Sequence, residues 1–170
     1  MSRPINDSDR ARVVLQIRVT MHTMGYIFEA DTRSGNHVSI FLLIGDRESV
    51  RLNMIKKGPT NTKGTLQISM CEYVVSSSAV KNRNFPAPPG RTVGDFFDTL
   101  TRKGCHNYQL SRSGVGCRFW VSTVMEDYER ALYLVSTANL NATSLKEALQ
   151  YNYSRNQAPG YEPMIPGTFL

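Results

Sequence analysis

The stretch from His37 to Ile55 has the sequence HVSIFLLIGDRESVRLNMI, in which two apolar runs flank a short polar segment. Residues 37–44 form a nearly continuous apolar run, which is typical of a strand at the centre of a sheet. Residues 49–55 alternate apolar and polar side chains, which is the pattern of a strand with one buried face. The sequence GDRE at 45–48 supplies a turn between them, so the stretch predicts a β-hairpin.

Strands on both sides of this hairpin extend the predicted sheet. Residues 13–19 and 65–75 alternate in polarity and are rich in β-branched residues, and residues 106–110 predict a further short strand. The segment 20–35 is compatible with a short helix or with a loop that covers a site. The proline-rich segment 85–90 is interpreted as a rigid connector that marks the change from strands to helices.

The second half of the chain carries helix signals. The sequence TVGD at 92–95 resembles a capping box, and the helix that it starts is expected to end at Lys103-Gly104. Residues 117–133 place apolar side chains on one stripe at helical spacing, and SLKE at 144–147 forms a second capping box. The order of elements predicts an α+β fold, with an antiparallel sheet and helices packed on one side of it.

Composition places the chain among globular proteins and limits the partners to expect. The sequence has 170 residues, 41% hydrophobic and 20% charged, which predicts a single domain over residues 1–170. Residues 1–10 are expected to be a flexible N-terminus. The formal net charge is +6, but the basic residues are scattered along the chain. We therefore expect a solvated basic surface rather than a nucleic-acid interface, and the composition is compatible with a homo-oligomer.

Missing motifs exclude several classes of protein. The three cysteines lack the spacing of a zinc site and are odd in number, so we expect reduced thiols, no metal and a cytoplasmic location. The glycine turn at 114–116 lacks the third glycine and the lysine of nucleotide-binding loops, so we expect no cofactor. The longest apolar run, residues 40–44, is too short to span a membrane, and residues 1–7 lack the apolar core of a signal peptide.

Cys117 is the strongest candidate for chemistry. It follows the turn Gly114-Val115-Gly116 and begins the predicted helix at 117–133. Unpaired N–H groups and the positive end of the helix dipole stabilise a thiolate at such a position, which lowers the pKa of the thiol. The alternative is a small buried cysteine on the apolar face of the helix, in one stripe with Val121.

His37 is the best candidate for a base that would activate this thiol, because it lies within a strong strand pattern. The alternative is a structural histidine or one that faces solvent. Arg51 and Asn53 share a face of the neighbouring predicted strand, where either side chain could orient the imidazole or bind an anionic group of a substrate. The alternative for both is an ordinary polar strand face.

The order of these features resembles the circularly permuted papain-like enzymes, which include the lecithin:retinol acyltransferase-like and PPPDE-type families. The sequence GCRFWV at 116–121 is similar to their Asn-Cys-x-His-Phe-like motif, although glycine and phenylalanine replace its asparagine and histidine. The sequence HVSIF at 37–41 is similar to their His-Trp-Ala-Ile-Tyr-like strand. The resemblance implies a papain-like fold with Cys117 as nucleophile, His37 as general base and a third polar residue near positions 51–53. The chain is also similar to a family of uncharacterised single-domain fungal proteins, which implies no activity.

We therefore predict a thiol-dependent acyl-transfer enzyme, either a hydrolase or an acyltransferase, that acts on a small molecule. Substrate contacts are expected from Arg51, Asn53, Tyr108, Arg118 and Trp120. One alternative is a cofactor-independent cyclase or isomerase of biosynthesis, which would use the same pocket for a natural-product-like substrate. Another is a non-catalytic binding module that contacts an acidic partner through the basic surface.

Overall fold

A computed structural model gives the structure of residues 1–23, 36–58, 60–111 and 116–170. The helices of these residues are α1 (Asp7–Arg10), α2 (Val93–Arg102), α3 (Cys117–Arg130) and α4 (Ala142–Ala148). The strands are β1 (Ser2–Pro4), β2 (Gln16–Thr23), β3 (Asn36–Leu43), β4 (Ser49–Gly58), β5 (Asn61–Cys71), β6 (Ala79–Pro86), β7 (Tyr108–Gln109), β8 (Tyr151–Asn152), β9 (Gly160–Tyr161) and β10 (Thr168–Phe169).

The predicted hairpin forms the centre of the sheet. Leu43 pairs with Ser49 and Ile40 with Leu52, so β3 and β4 are antiparallel neighbours as expected. The strand order is β10-β7-β5-β4-β3-β2-β6, and β1 joins β5 beside this path. Every pairing between strands of the described residues is antiparallel, which follows from the short connections between successive strands.

The core lies between one face of this sheet and the helices. Alternate residues of β2, β3 and β4 point towards it and are almost completely buried: Ile17, Val19, Met21, Val38, Ile40, Leu42, Val50, Leu52 and Met54. The helices supply the opposite wall with Phe96, Leu100, Trp120, Val121, Val124, Met125, Tyr128, Leu145 and Leu149. Burial of each large apolar side chain contributes roughly 1.5–3 kcal/mol to folding. The chain therefore has an α+β fold with helices on one side of an antiparallel sheet, which confirms that prediction.

The strand β2 lies further along the chain than predicted. It covers Gln16–Thr23 instead of 13–19, because the alternation of buried and outward residues continues beyond the range that the apolar run marks. Met21 is buried on the core face, whereas Thr20 and His22 belong to the opposite face of the sheet. This extension puts a histidine on a central strand, where the sequence pattern predicted a helix or a loop.

The strand β6 is absent from the sequence prediction. Of its residues only Phe85 is buried, because β6 pairs with β2 alone and forms an edge of the sheet. An edge strand needs little apolar patterning, so a polar sequence conceals it. The remainder of the segment predicted as helix or loop, residues 24–35, and most of the glycine turn, residues 112–115, lie outside the described residues.

The N-cap of α4 lies three residues before the predicted N-cap. The side chain of Asn141 accepts a hydrogen bond from the N–H of Ser144, and the hydroxyl of Ser144 accepts one from the N–H of Asn141. Ser144 is therefore the third helical residue of a capping box whose N-cap is Asn141. The helix ends at Ala148.

The first ten residues, which we expected to be flexible, are tied to the rest of the chain. β1 pairs with the end of β5, and Asn6 and Asp9 form a capping box at the start of α1. Arg3 donates two hydrogen bonds to the carboxylate of Asp9, at 2.6 and 2.9 Å. Polar residues thus hold this segment through hydrogen bonds. The sequence did not indicate this order, because the segment lacks an apolar pattern.

A buried tyrosine joins the C-terminal segment to the start of α3. The hydroxyl of Tyr108 donates a 2.9 Å hydrogen bond to the carbonyl of Gly116 and accepts one from the N–H of Gly167. β10 pairs with β7, so Phe169 lies against the ring of Tyr108 with 4.8 Å between the ring centroids. These contacts fix the residue that precedes Cys117.

Gly167→Ala should destabilise the fold, because an added Cβ would lie 2.5 Å from Cζ of Tyr108 and overlap its ring. We expect the free energy of unfolding in urea to fall by about 1–3 kcal/mol. Gly58→Ala is the control, since a Cβ at Gly58 meets nothing within 4 Å. Equal stabilities of the two variants would contradict the close packing of Gly167 on Tyr108.

Candidate functional site

The site begins where β3 separates from β4. The register between these strands ends at the pair Ile40 and Leu52, whereas β2 stays paired with β3 as far as Asn36. The N–H of Val38 is therefore available on the β4 side of β3, and its interaction with the sulfur of Cys117 lowers the pKa of the thiol. The thiol at the start of α3 thus reaches the opening between two central strands.

The position of Cys117 is set by the residue before it. Gly116 is the N-cap of α3 and has φ 129, a conformation that favours glycine. An added Cβ at Gly116 would lie 3.1 Å from the hydroxyl oxygen of Tyr108. The carbonyl of Gly116 accepts hydrogen bonds from Tyr108 and from the N–H of Trp120. Cys117 is half-buried at the positive end of this helix, as the sequence predicts.

His37 contacts both of the residues that flank it in space. Its Nε2 lies 2.5 Å from Oδ1 of Asn53, and its interaction with Cys117 raises the pKa of the imidazole. The amide oxygen of Asn53 accepts only, so Nε2 carries the proton in this contact. Nδ1 is then the nitrogen left to exchange a proton with the thiol.

The cysteine and the histidine favour the ion pair. Burial raises the pKa of the Cys117 thiol, but the hydrogen bond and charge of His37 and the N–H of Val38 outweigh burial and lower the pKa. Burial lowers the pKa of His37, but the hydrogen bond and charge of Cys117 and the contact with Asn53 outweigh it and raise the pKa. Opposite shifts of this kind favour a thiolate beside an imidazolium.

Asn53 holds the imidazole in place. It is buried on β4, on the same face of the sheet as Arg51, and its amide oxygen fixes which nitrogen of His37 carries the proton. A polar group that orients the ring in this way is the third member of cysteine and serine nucleophile sites. The sequence left open whether Asn53 orients the imidazole or binds substrate, and its contact in the structure is with the imidazole.

A cavity of about 370 Å³ lies beside His37 and Asn53 on the face of the sheet away from the helices. His22 pairs with His37 across β2 and β3, and the two rings stack with 6.1 Å between their centroids. Cys117 is not part of the cavity wall, so the imidazole separates the thiol from it. The wall is formed by His22, Thr23, His37, Ser39, Arg51, Asn53, Ser76 and Ser78.

The side chains of two predicted substrate contacts, Tyr108 and Trp120, belong to the core. Tyr108 and Trp120 are both 0% exposed, which leaves no surface for a substrate. The hydroxyl of Tyr108 bonds Gly116, and burial raises the pKa of Tyr108 to about 12. Nε1 of Trp120 donates to the carbonyl of Cys105 at 2.7 Å.

Arg118 also has a structural position instead of the predicted substrate contact. Its guanidinium donates to the carbonyls of Leu149 and Glu162, at 2.9 and 2.7 Å, and forms a 3.1 Å ion pair with the carboxylate of Glu162. These contacts hold the C-terminal segment against α3. Arg51 is the predicted substrate-binding residue, besides Asn53, that lines the cavity.

The other two cysteines lack the surroundings of Cys117. Burial and the neighbouring carboxylate of Asp127 raise the pKa of Cys105 to about 12, and Cys71 is completely buried. Across residues 1–23, 36–58, 60–111 and 116–170, no group of three His, Cys, Asp or Glu side chains could hold a metal ion. No helix within these ranges has the length and apolar character to cross a membrane.

Sequence reasoning missed His22 and the serines around it. His22 lies in the segment 20–35, for which the sequence predicts a short helix or a loop, although the alternation of β2, continued by three residues, puts it on the face that carries His37. Ser39 lies two residues after His37 and therefore shares that face too. Ser76 and Ser78 reach the cavity from a connection between strands, for which no periodic pattern exists.

Taken together, fold and site define an α+β protein in which a helix-start cysteine, a histidine and an asparagine from adjacent strands contact one another in series. The chain belongs to the family described as Domain of unknown function (DUF7770), whose model matches residues 17–170. Comparisons with curated proteins and with solved structures found no match.

Iodoacetamide should modify Cys117 selectively, at a rate that stays high below the ordinary thiol pKa of about 8.5. The rate should fall only as the pH drops through the lowered pKa of Cys117, because protonation removes the thiolate. His37→Ala should move this inflection to higher pH, since His37 lowers the pKa against the effect of burial. Peptide mass spectrometry at a series of pH values measures the rate, with Cys71 and Cys105 as internal controls. A wild-type inflection at or above the ordinary value would contradict the ion pair.

Proposed function

We propose that the protein is a thiol-dependent acyl-transfer enzyme, a hydrolase or an acyltransferase, that acts on a small molecule. The observation that carries this proposal is the position of His37, which hydrogen-bonds Asn53 and interacts with Cys117 so that the pKa values of thiol and imidazole shift towards the ion pair. A thiol, a base and a group that orients the base are the parts that covalent acyl transfer requires.

In the first step, the thiolate of Cys117 attacks the carbonyl carbon of an ester, thioester or amide, and a C–S bond forms. The tetrahedral intermediate collapses, the bond to the leaving group breaks, and the imidazolium of His37 gives its proton to that group. Backbone N–H groups at the start of α3, such as that of Cys117, are suited to stabilise the oxyanion because they lie at the positive end of the helix.

In the second step, His37 takes a proton from water or from an acceptor alcohol or amine, which attacks the thioester carbonyl. The C–S bond breaks and the thiolate of Cys117 returns to its ion pair with His37. Throughout both steps the amide oxygen of Asn53 holds the N–H of His37, so the other ring nitrogen stays directed at the sulfur. A base positioned in this way contributes roughly 10²–10⁴-fold to the rate.

The order of the three residues along the chain supports the resemblance to permuted papain-like enzymes. His37 and Asn53 lie on consecutive antiparallel strands, and Cys117 begins a later helix that packs on those strands. We propose this fold relationship together with the chemistry. The three cysteines are free, which fits a reducing compartment such as the cytoplasm, and whether the enzyme acts as a homo-oligomer belongs to the same proposal.

The cyclase or isomerase hypothesis is less well supported. It requires an apolar pocket shaped by aromatic residues, yet Tyr108 and Trp120 are buried in the core, and the cavity beside His37 has polar walls. A cyclase would also leave no covalent adduct on Cys117. Trapping of an acyl-enzyme therefore separates the two hypotheses.

Cys117→Ser should abolish turnover of activated acyl esters, because a serine hydroxyl in this site is a far weaker nucleophile than the thiolate. The assay is release of 4-nitrophenol from 4-nitrophenyl acetate and longer esters, with intact-mass spectrometry to detect an acyl group on the wild-type protein. Cys105→Ser is the matched control and should keep full activity, since a serine hydroxyl can retain the hydrogen bond to Asp127. Turnover that survives in Cys117→Ser would overturn the proposal.

Asn53→Ala should lower kcat by about 10-fold to 100-fold with little change in KM, because the imidazole of His37 loses its orientation. The loss should be accompanied by a slower alkylation of Cys117 at pH values below its inflection. Asn84→Ala, on the exposed edge strand β6, is the control and should leave both rates unchanged. An unchanged kcat in Asn53→Ala would remove Asn53 from the mechanism.

A further inference from the structure

The cavity beside His37 contains an arginine without a partner. Nε of Arg51 is completely buried and has no hydrogen-bond partner in the described part of the chain. No carboxylate of those residues forms an ion pair with Arg51 either. The residue as a whole is half-buried, and its desolvated, unpartnered donor without a counter-charge favours an anion that supplies the missing contacts.

The remaining walls offer hydrogen-bond donors and no negative charge. Among the residues described, the cavity lining has no aspartate or glutamate and carries three serines and a threonine. Ser39 Oγ lies 2.6 Å from Nε2 of His22, and Ser78 Oγ lies 2.8 Å from Nδ1. Burial, with the charges of His37 and Arg51, lowers the pKa of His22 to about 4, so the ring is neutral at pH 7.

A neutral imidazole donates at one nitrogen and accepts at the other. One of the two serine hydroxyls therefore accepts a hydrogen bond from the N–H of His22 and keeps its own O–H to donate elsewhere. Ser76 lies 3.0 Å from Ser78 and adds a further hydroxyl at the same wall. The arginine and these hydroxyls form the donor set that carboxylates and phosphates require.

We propose that this cavity binds the oxyanion group, a carboxylate or a phosphate, of a small molecule. Arg51 is its counter-charge, and the hydroxyl of Ser39 or Ser78 that accepts from His22 is a neutral donor. A volume of about 370 Å³ admits a small organic anion and not a macromolecule. The inference goes beyond the proposed acyl transfer, because Cys117 is not in the cavity wall and binding needs no reactive thiol.

Arg83 resembles Arg51 in its buried Nε but differs in its surroundings. Nε of Arg83 is also buried without a partner, but Arg83 interacts with Tyr153 and lines a different surface cavity. The wall of that cavity includes Glu147, which supplies a negative charge. Arg83 is therefore a control for Arg51, because we expect no anion to bind in a cavity whose wall already carries a carboxylate.

The test is isothermal titration of the purified protein with sodium phosphate and with sodium acetate, at constant ionic strength maintained with chloride. We expect saturable binding of at least one of the two, and a loss of about tenfold or more in affinity in Arg51→Gln. Arg83→Gln and Cys117→Ser should bind as the wild type does. Preference for phosphate or for acetate identifies which oxyanion the site takes.

Three results would overturn the proposal: no saturable binding of either anion, unchanged affinity in Arg51→Gln, or an equal loss in Arg83→Gln. If Arg51→Gln does not fold, by circular dichroism, Arg51→Lys keeps the charge and removes the planar donor pair, and weaker binding is expected there. Binding that persists in Cys117→Ser while turnover is lost separates this proposal from the acyl-transfer mechanism.

Discussion

The interaction of the Val38 N–H with the sulfur of Cys117 lies where β3 no longer pairs with β4. β3 and β4 pair only as far as Ile40 and Leu52, and the N-terminus of α3 occupies the opening. A backbone donor at a sheet interior needs a partner, and here a thiolate is that partner. The separation of β3 from β4 therefore leaves room for Cys117 beside Val38 and His37, which are distant from it in the chain.

Two sets of contacts hold His37 and the start of α3 in place. Asn53 fixes the ring of His37 from the strand side, while Tyr108 fixes Gly116 from the C-terminal side. The tyrosine is completely buried, and both its hydroxyl contacts are to backbone groups. Precision in such sites comes from groups that touch no substrate, because small displacements of a nucleophile or a base cost large factors in rate.

The sequence identified the hairpin, the long helix α3 and the pairing of His37 with Cys117, since each rests on a periodic pattern or on helix-end chemistry. It misjudged residues whose placement depends on tertiary contacts. Trp120 and Tyr108 carry polar atoms that suggested a binding role, but those atoms bond buried carbonyl groups. Ser76 and Ser78 of the cavity come from a connection between strands, and no local rule places such residues beside a central histidine.

Residues 167–169 are synthesised after α3, and they pack on the tyrosine that bonds the carbonyl of Gly116. Until residues up to Phe169 have left the ribosome, the start of α3 lacks this support. Domains generally fold as units during translation. We therefore expect a nascent chain that contains the sheet and α3 alone to hold the residue before Cys117 less firmly than the folded protein does.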